Sequence, residues 1–223
     1  MSASTAEDRP AATSAARLME QIYFVLTERC NLSCSHCIRE SSPWRDEMMG
    51  LRMITRALDE IAELCPHVTI LLSGGEPTIY KHFMSVLEHA ISLNLNVMVN
   101  SNGATSFFSS PNLRRLSQYV QLAFQISLDG VEVEHDLIRG QGMHQKSLRA
   151  IRRLLAQGIR CTVSTTVMDA EFFSNIDAFI SELDGLGLNH RWALLLDAHC
   201  SPCGTSHHRH PVVKIYIKVL RTC

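Results

Sequence analysis

Three observations in the sequence predict an α/β fold, a partial (β/α)6 barrel built on a parallel sheet. Short runs rich in Val, Ile and Leu alternate with segments whose apolar residues recur at helical spacing. The links between them are too short for separate domains, so the strands should lie side by side with right-handed helical crossovers. The glycine-, cysteine- and serine-bearing segments fall just after the strand-like runs, the end at which α/β folds collect their ligands.

Ile22 to Leu26 is the first strand, an apolar run suited to burial on both faces. Ile54, Leu58, Ile61 and Leu64 then share one face, with Arg56, Asp59, Glu60 and Glu63 between them, which marks an amphipathic helix ended by Pro66. Val68 to Leu72 is strand two, and Phe83, Val86, Leu87, Ala90 and Ile91 form the face of a second helix. Leu95 to Val99 is strand three, closed by the turn signal Asn102-Gly103. Leu113 and Leu116 belong to a short helix after Pro111, and Leu122 to Leu128 is strand four. Leu148, Ile151, Leu154 and Leu155 face inward on the next helix, stopped near Gly158. Ile159 to Val167 is strand five, followed by a helix with Phe172, Phe173, Ile176, Phe179, Ile180 and Leu183, and Trp192 to Leu196 is a sixth strand.

The chain divides into a flexible tail over 1–20, a core over 21–197 and an atypical tail over 198–223. The first tail is rich in Ala, Ser and Thr and shows no apolar period. The second carries His199, Cys200, Cys203, His207, His208 and His210, then Val213, Ile215, Ile217 and Val219 alternating with Lys214, Tyr216 and Lys218 in a strand-like period. Cys200, Cys203 and Cys223, with these histidines, fit zinc, part of an auxiliary cluster, or a disordered tail, and the spacing does not choose between them.

With 46% apolar and 19% charged residues over 223 positions, the composition is that of a globular domain with a substantial core. A net charge of −1 gives no electrostatic reason to expect nucleic acid or anionic lipid as a partner. No stretch approaches the roughly 18 apolar residues of a membrane span, and the N-terminus lacks a secretory signal. Eight cysteines in a chain of this size, without export features, point to a reducing cytoplasm where thiols stay available to metal. Cys65 and Cys161 lie in apolar helix and strand contexts and are expected to fill the core.

The chemistry is concentrated in Cys30-Asn31-Leu32-Ser33-Cys34-Ser35-His36-Cys37, directly after strand one. A CxxxCxxC spacing puts three thiolates in reach of one centre without help from distant residues. An iron–sulfur cube that only carries electrons takes four protein ligands, so three local cysteines leave one iron open to hold a reactant. The alternatives are unrelated thiols or a zinc site completed by His36, although zinc ligands usually arrive as two separated pairs. A second motif, Ser73-Gly74-Gly75-Glu76-Pro77, ends strand two, where a glycine pair lets a ligand approach the main chain.

Together these motifs resemble the radical S-adenosylmethionine (SAM) superfamily, over about Tyr23 to Leu196. Ser127-Leu128-Asp129-Gly130 with His135-Asp136 and Arg139-Gly140 is similar to the subgroup of sulfatase- and peptide-maturating enzymes. The resemblance implies a [4Fe-4S] cluster on Cys30, Cys34 and Cys37, with SAM chelated at the open iron. It further implies that Gly74, Gly75 and Glu76 orient the methionine amino group, that Ser127 meets the ribose hydroxyls and that Arg139 pairs with the SAM carboxylate. Asn102 either contacts SAM or simply makes its turn. Asp129 and the His135-Asp136 pair lie near the same mouth, where they either touch substrate or, as charged residues on a loop are by default, stand solvated. The implied partners are a peptide or protein substrate and a flavodoxin- or ferredoxin-type electron donor. Tetrapyrrole or cofactor chemistry and a non-catalytic metal-binding protein are the competing readings. The resembling families would also place a sixth helix after Leu196.

Overall fold

The computed structural model describes residues 19–109, 111–167, 171–188, 192–197 and 214–219. Five parallel strands form its centre: β1 (Gln21–Val25), β2 (Thr69–Ser73), β3 (Asn96–Ser101), β4 (Leu122–Ser127) and β5 (Arg160–Val167). Helices α1 (Leu51–Leu64), α2 (Phe83–Ser92), α3 (Asn112–Leu116), α4 (Glu132–Arg139), α5 (Met143–Ala156) and α6 (Ile176–Gly185) fill the crossovers. The strands expected from the sequence are present, with ends displaced by one or two residues. The α/β class and the parallel sheet follow directly.

Two further strands, β6 (Trp192–Asp197) and β7 (Lys214–Val219), complete the order β1-β2-β3-β4-β5-β7-β6. β7 pairs antiparallel with both β5 and β6, so the expected sixth strand is separated from β5 by a later one. Alternation in Lys214–Val219 identifies a strand but says nothing of its partner or direction. β7, taken from the stretch set apart as a C-terminal tail, thus lies within the core sheet. Cys200, Cys203, Cys223 and the neighbouring histidines lie outside the described residues, as do residues 1–18.

Period-two alternation separates the two faces of the sheet. Phe24, Ile70, Leu72, Val97, Val99, Phe124, Ile126 and Val163 are buried beneath the helices, packed with Ile54, Leu58, Leu87, Ile151, Leu154 and Phe179. Phe107 and Phe108, in a 3-10 turn after β3, meet Phe124 at ring separations of 6.2 and 5.7 Å. Cys65 and Cys161 are buried in this core, as expected. Ile126 is fully buried. Ile126→Val should therefore cost about 0.5–1.5 kcal/mol in urea unfolding, the range for removing one core methylene.

α4 was not visible in the sequence, where its residues read as loop. Its pattern is inverted: His135 is the buried position while Val133 and Leu137 are 79% and 83% exposed. Periodicity of apolar residues cannot find such a helix.

Candidate functional site

β1 delivers the chain into the cysteine loop, and that loop is held by backbone bonds to both neighbours. The Glu28 N–H donates to Glu47 O at 2.8 Å and the Cys30 N–H to Ser42 O at 3.0 Å, closing an irregular hairpin. The second motif is bound to the same segment. The Gly75 N–H donates to Thr27 O at 2.7 Å, and the Glu76 N–H to Arg29 O at 2.9 Å. A Cβ on Gly74 would lie 2.3 Å from Thr27 O, and one on Gly75 2.3 Å from Arg29 O. The glycine pair therefore admits the chain's own cysteine loop at backbone contact, a close approach that the sequence assigned to a ligand.

The two loops open on a cavity of about 230 Å³ at the carboxyl ends of the strands. Cys30, Cys34 and Cys37 line one wall, all as free thiols. Sulfur receives backbone donors: Leu32 N–H reaches Cys30 Sγ at 3.4 Å and Ser41 N–H reaches Cys37 Sγ at 3.4 Å. Burial pushes the Cys30 thiol up to about 12, against the Leu32 N–H, and raises Cys34 as well, against Arg139. Such thiols are poor nucleophiles on their own; a metal centre that displaces their protons suits them.

Among the described residues, no three cysteine, histidine or carboxylate side chains are grouped closely enough for a single metal ion. A zinc ion needs its ligands within about 2.0–2.3 Å of one point. His36 has other business. Its Nε2 lies 3.5 Å from Asp129 Oδ2 and 3.4 Å from Arg139 Nη2. His36 Nε2 thus faces Asp129 and Arg139, while the three thiols line the same cavity.

The remaining walls collect most of the residues the resemblance singled out. Gly74, Gly75, Asn102, Ser127 and Arg139 all line the cavity. Asn102 makes the expected turn, its Oδ1 accepting from Ala104 N–H at 2.8 Å, while its Nδ2 donates to Asn31 Oδ1 at 2.9 Å and lies 3.7 Å from Cys30 Sγ. The Glu76 side chain is placed differently. Fully buried, it accepts from Thr78 Oγ1 at 2.6 Å, Ser101 Oγ at 2.8 Å and Asn102 N–H at 2.8 Å, and it is absent from the cavity wall. Burial raises its carboxyl, with these donors pulling the other way. Its carboxylate ties the loop after β2 to the end of β3.

Asp129, expected to be solvated, is buried and fully partnered. Arg139 Nε donates to its Oδ2 at 2.5 Å and Thr166 N–H to its Oδ1 at 3.0 Å. Burial alone would lift this carboxyl, but the Arg139 charge and hydrogen bond, with His36 and Thr166, hold it below the usual aspartate range. His135 is buried as well and accepts the Asp129 N–H on Nδ1 at 3.1 Å. Burial chiefly lowers it to about 4, the neutral state that this bond requires.

Asp136 caps α5, accepting Gly142 N–H at 2.5 Å and His144 N–H at 2.8 Å. These bonds lower its carboxyl despite partial burial. Asp136→Ala should cost about 1 kcal/mol, as loss of an N-cap does. Because the folded value is the depressed one, that contribution is full above about pH 4 and fades as pH falls, which unfolding at pH 7 and pH 3 would show.

The structure adds residues that sequence reasoning passed over: Asn100, Gln125, Ser164 and Thr166, all on the cavity wall. Their signal was a polar residue at every second position of otherwise apolar strands, as in Gln125 and Ser127 between Phe124, Ile126 and Leu128.

Fold and site define an α/β barrel protein with a thiol-lined mouth. Residues 24–183 match the model of the Radical SAM superfamily, and the chain belongs to that superfamily. The chain is 29% identical over 155 residues to mycofactocin maturase MftC of Mycobacterium tuberculosis, covering 69% of this chain and 39% of that protein. It is 33% identical over 149 residues to the sporulation killing factor maturation protein SkfB of Bacillus subtilis, covering 65% and 35%. An AdoMet-dependent heme synthase of Oleidesulfovibrio alaskensis matches at 28% over 153 residues, covering 66% and 38%. The solved structure of anSMEcpe with bound AdoMet and Cp18Cys peptide shares the fold at a TM-score of 0.61 and 19% identity, covering 74% of this chain and 48% of that one. The chain spans under half the length of each of these proteins. Among the described residues, no helix is long and apolar enough to cross a membrane.

Proposed function

We propose that this chain carries the core of a radical SAM enzyme acting on a peptide or protein side chain. Cys30, Cys34 and Cys37 would hold a [4Fe-4S] cluster, and Gly74, Gly75, Asn102, Ser127 and Arg139 would hold SAM beside it, with Glu76 bracing the loop that carries the glycines. When bound, cluster and SAM supply a one-electron reductive cleavage to methionine and a 5'-deoxyadenosyl radical that takes a hydrogen atom from the substrate. A flavodoxin- or ferredoxin-type partner supplies the electron. The reading is carried by one observation: three free thiols and the Gly74-Gly75 turn adjoin on the walls of a single cavity at the strand ends.

The chain's own part is positioning. Asn102 braces the cysteine loop through Asn31, and Ser127 presents a hydroxyl to the cavity. Arg139, gripped at Nε by Asp129, keeps outer guanidinium N–H groups for a planar carboxylate. The similarity to maturases supports a peptide substrate. The similarity to a heme synthase supports a second reading, a tetrapyrrole.

Anaerobic reconstitution with iron and sulfide, followed by dithionite and SAM, tests the proposal. Iron-loaded protein should release 5'-deoxyadenosine. A protein that retains zinc in place of the cluster, or an assembled cluster that leaves SAM intact, overturns it.

A further inference from the structure

A second cavity, of about 210 Å³, lies between the 3-10 turn Ser106–Ser109 and α5. No residue lines both it and the cysteine cavity. Gly103 sets the turn close against the helix: it sits at φ +73°, and a Cβ there would lie 3.2 Å from Ala150 Cβ and 3.2 Å from Ser147 Cα. Lys146, Arg149 and Arg153 line the cavity from one face of α5. Like charges at these three- and four-residue spacings weaken a helix, and no carboxylate among the lining residues relieves them. On α1 the four-residue spacing instead joins Arg56 to Glu60 at 3.0 Å, the pairing that suits a solvated helix face. Arg153 Nη1 donates to Phe108 O at 3.3 Å, and Lys146 Nζ lies 3.9 Å from Met143 Sδ. All three cations are exposed, so an entering ligand can reach them.

We propose that this cavity binds a diphosphate group, as the free anion or as the phosphoryl end of a small ligand. The hydroxyls on the facing wall are largely spent, since Ser109 Oγ donates to Ser106 O at 2.7 Å and Thr105 Oγ1 pairs with Thr78 Oγ1 at 2.9 Å. The cations therefore select the ligand. A lone carboxylate would leave two of them without a counter-charge, whereas a diphosphate brings several negative charges and oxygens for both guanidinium forks. Arg149 and Arg153 stand about 6 Å apart along the axis at 1.5 Å per residue, a step that two linked phosphoryl groups can span. A net charge of −1 for the chain argues against the wider basic surface that a nucleic acid needs, which favours a small anion.

The test is titration calorimetry on the full chain at about 0.15 M salt, where diffuse surface attraction is screened. The probes are inorganic diphosphate, ADP and a single-stranded oligonucleotide. Inorganic diphosphate should bind and raise the melting temperature, as a ligand of the folded state does. Arg149→Gln and Arg153→Gln should each weaken it at least about tenfold, the loss of one charge-assisted contact. Arg152→Gln is the control, an exposed neighbour on α5 outside the cavity lining, and should bind as wild type does. Binding of ADP through the same arginines supports the site as well, and its affinity relative to the free anion identifies the source of the group.

Absence of binding by both diphosphates at about 1 mM overturns the proposal. So does unchanged affinity in Arg149→Gln and Arg153→Gln, or an equal loss in Arg152→Gln, which would reveal general charge attraction. Tighter binding of the oligonucleotide than of either diphosphate overturns it in favour of a nucleic-acid surface. None of these results depends on the cluster or on SAM, so the site stands or falls apart from the enzyme reading.

Discussion

Gly75→Ala is expected to abolish cluster assembly while leaving the fold in place. The added Cβ would sit 2.3 Å from Arg29 O and 2.8 Å from Glu28 O. Both are backbone atoms, so no side-chain rotation relieves the contact. Separating the two loops to ordinary van der Waals distance breaks the bonds that join them, Gly75 N–H to Thr27 O and Glu76 N–H to Arg29 O. Each is worth about 1 kcal/mol, a loss the core can absorb, but the displaced atoms adjoin Cys30. Circular dichroism should therefore stay close to wild type while iron bound after reconstitution falls at least about tenfold and 5'-deoxyadenosine disappears. Gly50→Ala is the control, because nothing lies within 4 Å of its added Cβ. Wild-type iron content in Gly75→Ala would show that the two loops do not touch as described.

The same contact shows what the sequence could and could not reveal. Cys30, Cys34 and Cys37 were legible because their geometry is local: eight residues fix which atoms can reach one centre. The glycine pair was legible as a place of close approach, but its nearest partner lies in another segment, and a sequence without an alignment does not say which. Strand positions were legible from apolar runs. The insertion of β7 between β5 and β6 was not, because an alternating strand carries no mark of its neighbours. α4 failed for a different reason. Its buried face is made by His135 and Arg139, and its apolar residues face outward, so a hydrophobic period points the wrong way. For the same reason Asp129 reads as solvated in the sequence, since the cation that makes its burial tolerable sits on a helix that the pattern conceals.

Asp129→Asn should therefore be among the most destabilising substitutions in the chain. Asn keeps the shape of the side chain and an acceptor for Thr166 N–H, but it leaves the Arg139 guanidinium, 11% exposed, without its counter-charge. Breaking one side of such a buried pair costs about 3–5 kcal/mol, against a total of about 5–15 kcal/mol for a typical domain. Asp129→Asn combined with Arg139→Leu should recover part of the loss, because the stranded charge goes with its partner.

The pH dependence separates this account from a simple packing defect. The folded Asp129 carboxyl is held below its ordinary value of about 3.9, so its contribution is complete above that value and disappears as pH falls through the lower folded one. His135, lowered from 6.5 to about 4 chiefly by burial and held up in part by the Asp129 charge, costs wild type and variant the same stability as pH falls from 6.5 towards 4, and the two differ only below that, where losing Asp129 lowers His135 further. The stability gap between Asp129→Asn and wild type, measured by urea unfolding, should then stay nearly constant from pH 7 to about 5 and narrow below about 4. A gap that persists unchanged at pH 3 would mean that Asp129 does not act through its charge.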